Sequence, residues 1–242
     1  MIRMNKLEEL WNRCINSPSY GILYWPLFYR RRQNYPYRGY EALHKLLNEM
    51  DFETVLDVGC GEGVQANIFL QHKKIVTAID YGESVYFRKN KNQSLHTVIA
   101  DINEWNTKER FDCIWCSHVL EHQLNVNIFL KKLHTLLNEG GMLAITVPPL
   151  KQNIVGGHVS LWTPGLLLYN LIMAGFDCSK ACVKCYDYDI SIIVKKETIV
   201  LPDLQYDAGD IRRLGDFFPE KLKYYDTNID RLFCGNIRKL NW

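Results

Sequence analysis

The sequence predicts an α/β fold with a mainly parallel sheet, and three observations carry that prediction. Short apolar runs rich in β-branched residues alternate with helical patterns from Val55 to Val147. Such alternation places successive strands parallel, because each helix returns the chain to the same end of the sheet. The first run closes on glycines at every second position (Gly59, Gly61, Gly63), with a helical pattern (Val64, Ile68, Phe69) directly behind them. Three of the runs carry a carboxylate at or near their ends: Asp57, Asp80 and Asp101.

Taken in order, the chain opens with an amphipathic helix over Asn5–Ile15. A segment of interleaved aromatics and arginines follows from Tyr20 to Tyr40, with Arg30, Arg31, Arg32 and Arg38 among its cations. It is expected to pack on the domain or to close over a site, where an arginine can meet a carboxylate or phosphate. A helix over Tyr40–Met50 leads into the first strand, whose glycines supply backbone angles that a Cβ forbids and let a ligand approach the main chain. The helix Gly63–His72 then delivers a second strand, Lys74–Asp80, and a third follows over Ser94–Ala100. The fourth, Phe111–Ser117, precedes a helix with apolar positions at Val126, Phe129, Leu130, Leu133 and Leu137. The Gly140-Gly141 pair is expected to turn the chain into a fifth strand, Met142–Val147. Thr163-Pro164 starts a helix over Leu166–Ala174, and two last strands are joined by a turn near Asp187–Asp189. Residues 202–242 read as a tail packed on the domain.

Composition narrows the function. The 242 residues are 47% hydrophobic and 23% charged, enough for a substantial core, and the formal net charge of +2 offers no basic stripe for nucleic acid. The N-terminus lacks the apolar stretch of a secretory signal, and the longest apolar run, Leu161–Phe176, is interrupted by Pro164, Gly165 and Gly175. A cytoplasmic protein without stable membrane insertion is expected. Eight cysteines include two C-x-x-C pairs, Cys113/Cys116 and Cys182/Cys185. Both lie in predicted strands, where residues three apart face opposite sides and cannot share one ion. No metal site is expected.

The glycine spacing discriminates between ligands. A dinucleotide fold wants G-x-G-x-x-G, whereas here the third glycine comes one position early and Val64 stands in its place. Asp57 would repel a pyrophosphate but suits an ammonium group. The stretch Val55–Gln65 (VLDVGCGEGVQ) resembles motif I of the class I S-adenosylmethionine-dependent methyltransferases, whose pattern is acidic-x-Gly-x-Gly-x-Gly. The later strand ends extend the resemblance over about residues 40–200, between an N-terminal segment (1–40) and a C-terminal extension (201–242), all in a single domain. It implies a Rossmann-like seven-stranded sheet in the order 3-2-1-4-5-7-6, with helices on both faces and the final strand inserted antiparallel. S-adenosyl-L-methionine is the implied cofactor. Cofactor contacts are implied at Asp57, Gly59, Cys60, Gly61, Gly63, Gln65 and Ser117, with the ammonium group at Asp57, and its ribose hydroxyls would lie at Asp80. Tyr81 would lie along the adenine, with Asp101 at its amino group and Ile102 over the ring.

A hydroxyl acceptor needs a base, and imidazole is the side chain best matched to neutral pH. Three histidines fall at the ligand edge: His118 and His122 in S-H-V-L-E-H after the fourth strand, and His158 after Gly156-Gly157 beyond the fifth. His158 is the first candidate, then His118 or His122. The stretch following His158, V-S-L-W-T-P, is similar to the substrate-side loop of bacterial methyltransferases from surface-glycan clusters. That likeness implies methylation of an oxygen on a small polar acceptor such as a sugar, sugar nucleotide or sugar phosphate. Nucleic-acid amino methylation is disfavoured, because Ser117-His118-Val119-Leu120 occupies the place of the polar-Pro-Pro-aromatic pattern. A catechol-type metal cluster is not in view. The alternatives are a catalytically silent cofactor-binding scaffold, an isoprenoid or quinone acceptor lined by Leu166–Ala174, and, more remotely, a nicotinamide-dependent oxidoreductase.

Overall fold

Among the described residues of the computed structural model (37–90, 92, 94–225, 233 and 235–242), eight strands form one sheet. They are β1 (Thr54–Val58), β2 (Ile75–Asp80), β3 (His96–Ile99), β4 (Phe111–Ser117), β5 (Leu137–Val147), β6 (Cys182–Tyr186), β7 (Asp189–Lys195) and β8 (Lys239–Leu240). The order is β3-β2-β1-β4-β5-β7-β6-β8. The first five are parallel, and β7 runs antiparallel between β5 and β6. The seven-strand order implied by the resemblance therefore stands, and the tail adds β8 antiparallel to β6. The expected helix Asn5–Ile15 and the aromatic–arginine segment up to residue 36 lie outside the described residues.

The helices are α1 (Tyr40–Glu49), α2 (Val64–Gln71), α3 (Val126–Leu136), α4 (Pro164–Met173), α5 (Asp210–Arg213) and α6 (Glu220–Tyr225). They cover both sides of the sheet, and the period-2 alternation of strands assigns the core residues to each. Along β4, Cys113 and Trp115 join a cluster with Leu43 and Leu46 of α1 and Phe69 of α2. Ile114 and Cys116 join the opposite one, with Phe129 and Leu133 of α3 and Leu168 and Leu171 of α4. The two cysteines thus face opposite sides, as their spacing requires. Cys182 and Cys185 divide between the same two clusters. Trp115 is 1% exposed and meets Phe69 edge-on, with ring centroids 5.9 Å apart.

The end of α3 and the start of β5 depart furthest from the expected bounds. α3 stops at Leu136, and β5 begins at Leu137 and runs through Gly140-Gly141, which is not a turn. Phe111 pairs with Leu137, and the register shifts before Cys113 meets Met142. Gly140, at φ 79°, donates its N–H to the Lys196 carbonyl while the Lys196 N–H reaches Gly141. The glycines therefore bulge a continuous strand. α4 starts where expected: the Thr163 hydroxyl accepts the Leu166 N–H at 3.2 Å and Pro164 occupies the first turn. Among the described residues, no helix is long and apolar enough to cross a membrane.

Candidate active site

Parallel β3, β2, β1 and β4 bring their carboxyl ends to one edge, and the glycine loop after β1 is fastened there. The N–H groups of Gly59 and Cys60 donate to the Ile79 carbonyl of β2, at 2.8 and 3.3 Å. Gly59 has φ 71°, and a Cβ on it would collide with the Val119 side chain in the loop after β4. Only glycine lets these two loops touch. Gly63, also at positive φ, caps α2 with its N–H bonded to the Cys60 carbonyl.

Asp80 is 8% exposed and bridges two turns: Oδ2 accepts the Gly61 N–H at 3.0 Å, and Oδ1 the Gly82 N–H at 2.9 Å. Each oxygen keeps a further lone pair. Asp57, beneath the loop, is 2% exposed and its Oδ2 has no hydrogen-bond partner. Burial raises its pKa to about 7, against a lowering hydrogen bond from the Ala66 N–H and with a further rise from the charge of Asp80. A buried carboxylate with an orphaned oxygen fits a ligand that brings a positive charge. The bare glycine backbone beside it fits close approach, so these residues suit S-adenosylmethionine.

The remaining predicted cofactor residues are distributed along the same edge. Tyr81 is 66% exposed after β2. Beyond β3, Asp101 is exposed, with Oδ1 accepting the backbone and side-chain N–H groups of Asn103, and Ile102 is buried. Cys60 is buried, and desolvation with the charges of Asp57 and Asp80 pushes its thiol far up, so it stays neutral. Gln65 donates to the Arg38 carbonyl at 3.2 Å, tying α2 to the entry of α1. Ser117 ends β4 with a buried hydroxyl that has no partner.

All three candidate histidines gather around one residue that the sequence reading did not single out, Glu121. His118 follows β4 at φ 57°. Its Nε2 lies 2.9 Å from Oδ1 of Asp189, and its Nδ1 lies 3.2 Å from Oε1 of Glu121, off the hydrogen-bonding line. Burial alone would lower its pKa, but the hydrogen bond to Asp189 and the close approach and charge of Glu121 outweigh that and raise it. Asp189 also accepts the Gly39 N–H at 2.8 Å and lies 3.7 Å from Arg38. His122 pairs Nδ1 with the Gly157 carbonyl at 2.8 Å, and its Nε2 lies 3.9 Å from Glu121. The His158 ring stands perpendicular to that of His122, with centroids 4.9 Å apart. Burial lowers the His158 pKa, Glu121 opposes that, and the nearby His122, His118 and Lys151 side chains add to the lowering. The Val159 N–H donates to the Glu121 carbonyl at 2.8 Å and locks this loop onto the turn after β4. Beside it lies a cavity of about 160 Å³ whose lining includes Pro148, Lys151, His158, Ser160 and Tyr188. Lys151 sits 3.8 Å from the centre of the Tyr188 ring.

Residues 29–170 match the family described as methyltransferase domain. The (S)-tetrahydroprotoberberine N-methyltransferase of Eschscholzia californica is 29% identical over 117 residues, which make up 43% of this chain and 33% of that protein. The ubiquinone biosynthesis O-methyltransferase of Bradyrhizobium sp. (strain ORS 278) is 28% identical over 140 residues, 52% of this chain and 54% of that protein. The chain thus spans between about a third and about half the length of these curated relatives. Among solved structures, the 1,6-didemethyltoxoflavin-N1-methyltransferase of Burkholderia thailandensis, with 1,6-didemethyltoxoflavin and S-adenosylhomocysteine bound, aligns with a TM-score of 0.54. That alignment covers 80% of this chain and 89% of that one at 21% identity, a likeness of fold.

Proposed function

The chain belongs to the methyltransferase domain family, and from that premise we propose an S-adenosylmethionine-dependent methyltransferase acting on an oxygen of a small polar acceptor. A sugar, sugar nucleotide or sugar phosphate derivative of surface-glycan biosynthesis is the acceptor class. The observation that carries the reading is Asp57, a buried carboxylate with an orphaned oxygen under a glycine loop, where only a cationic ligand group completes the site. When bound, S-adenosylmethionine supplies a methyl group made electrophilic by its sulfonium.

The chain's own residues do the rest. Asp57 takes the amine, Asp80 the ribose hydroxyls, and Asp101, Tyr81 and Ile102 the adenine. The cavity beside His158 holds the acceptor, and fixing it in line with the methyl supplies much of the rate. Lys151 on the cavity wall gives an anionic acceptor a counter-charge. Of the three histidines, His118 has both ring nitrogens facing carboxylates, and His122 spends Nδ1 on Gly157. His158, which lines the cavity, is therefore the histidine we assign as acceptor of the hydroxyl proton.

The same cavity supports a second reading. Ile154, Val159 and Leu161 line it and are exposed at 87%, 55% and 44%, which favours an acceptor with an apolar body, such as a quinone. α4 contributes less to that reading, because Leu167, Leu168 and Leu171 are fully buried in the core. Methyl-labelled cofactor incubated with sugar nucleotides, sugar phosphates and hydroxylated quinones separates the two. Label in the sugar fractions is the expected outcome, label in the quinones moves the acceptor class, and cofactor binding without turnover on any acceptor supports the silent scaffold.

A further inference from the structure

We infer that Glu121, His122 and His158 form a binding site for a single divalent transition-metal ion at the acceptor end of the crevice. Each residue offers one ligand atom, and the three atoms lie within 4.8 Å of one another. With metal–ligand bonds of ~2.0–2.2 Å, donors around one ion stand ~3–4 Å apart, so closure needs only a small swing of the two imidazoles. His122 is 45% exposed at its side chain, so a small rotation about its hydrogen bond to Gly157 meets little packing.

Three further observations point to an ion. Glu121 is 0% exposed, and neither carboxylate oxygen has a hydrogen-bond partner. A carboxylate withdrawn from water in that way is strongly disfavoured unless a cation completes it. Nδ1 of His118 approaches Oε1 at 3.2 Å without a hydrogen bond to it, and Oε2 has no partner either. Next, the Gly157 carbonyl at 2.8 Å from Nδ1 of His122 keeps the proton on that nitrogen and the lone pair on Nε2. This is the nitrogen that lies 3.9 Å from Glu121. A backbone carbonyl that orients an imidazole through its other nitrogen is the usual support of a metal-bound histidine. Last, the loop carrying His158 is clamped to Glu121 by the Val159 N–H, and the His158 N–H is itself held by the Val155 carbonyl at 3.1 Å. The ligands thus come from two segments already joined through their backbones.

Two imidazoles and one carboxylate suit zinc, manganese or iron better than magnesium, which prefers an all-oxygen shell. Three protein ligands leave open positions on the ion, and His158 shares the wall of the acceptor cavity with Ser160. The role of the ion rests on the methyl-transfer reading: an acceptor hydroxyl on the ion would give its proton to water, and its oxygen would bond the methyl as the sulfonium S–CH3 bond breaks, its electron pair staying on sulfur in departing S-adenosylhomocysteine, while His158 serves as ligand in place of base. The existence of the site does not depend on that reading. It departs from the expectation of no metal, which considered only the C-x-x-C pairs and a carboxylate–Asn cluster.

The test is a titration of chelator-stripped, full-length protein with Co²⁺, followed by its visible ligand-field absorption, then displacement by Zn²⁺. One equivalent is expected to bind. His122→Ala and His158→Ala should each weaken binding by about ten- to a hundredfold or more, while Cys182→Ser/Cys185→Ser leaves it unchanged. S-adenosylhomocysteine binding, measured by calorimetry on every variant, reports that the fold persists. No stoichiometric Co²⁺ binding, or binding that survives in the His122→Ala/His158→Ala double variant, overturns the site. Metal binding intact without methyl transfer counts against the proposed activity alone, and methyl transfer undiminished in the metal-free protein overturns the role given to the ion while the Co²⁺ titration still decides the site.

Discussion

Asp57 couples stability to pH and to the cofactor. Its folded pKa of about 7 stands above the ordinary 3.8, so the folded chain holds a proton that the unfolded chain has released. The associated stability is complete below pH 3.8 and is lost as pH rises through about 7. Differential scanning fluorimetry without cofactor should show Asp57→Asn losing this part of the pH dependence, and an unchanged profile contradicts the assignment. Binding of an ammonium ligand favours ionised Asp57, so below pH 7 cofactor binding should release protons, measurable by calorimetry in buffers of different ionisation heat. Asp80→Ala should weaken S-adenosylhomocysteine binding by about ten- to a hundredfold, as a pair of charge-assisted hydrogen bonds is lost. Asp57, Asp80 and Asp101 stand out in the sequence because each lies within two residues of a strand end. Glu121 and Asp189 are not, because their meaning lies in distant partners: Asp189 meets His118 across 71 positions, and Glu121 meets His158 only through the folded loop.

At the scale of elements, the strands and helices of the core were readable where their periodicity was strong. β4 has the bounds its pattern predicts, and its alternation assigns Trp115 to one core and Ile114 to the other. Trp115→Ala, which removes one of the two edge-on partners of Phe69, should cost about 3–5 kcal/mol in urea denaturation. Thr163→Ala should cost about 1 kcal/mol by the same measurement, through loss of the cap on α4. A glycine pair ordinarily signals a turn, but Gly140-Gly141 is held in a strand by hydrogen bonds to Lys196, the residue just after β7. β8 has only two residues and no periodicity to betray it, since its strand character comes from pairing with β6.

On the scale of the whole molecule, topology makes the site. Four parallel strands deliver Asp57, Asp80, Asp101 and His118 to one edge, and β7, inserted antiparallel beside β5, starts where the others end, which brings Asp189 to His118. The alternation of elements made that edge predictable, while the joining of the loops after β4 and β5 around Glu121 emerges only from the fold. The central claim is that the crevice across β1, β2 and β3 holds S-adenosylmethionine, and a crystal structure with S-adenosylhomocysteine tests it most directly. The account predicts the amine at Asp57, the ribose hydroxyls at Asp80 and the adenine between Asp101 and Ile102. A ligand seated elsewhere, or a crevice closed to it, would contradict the account.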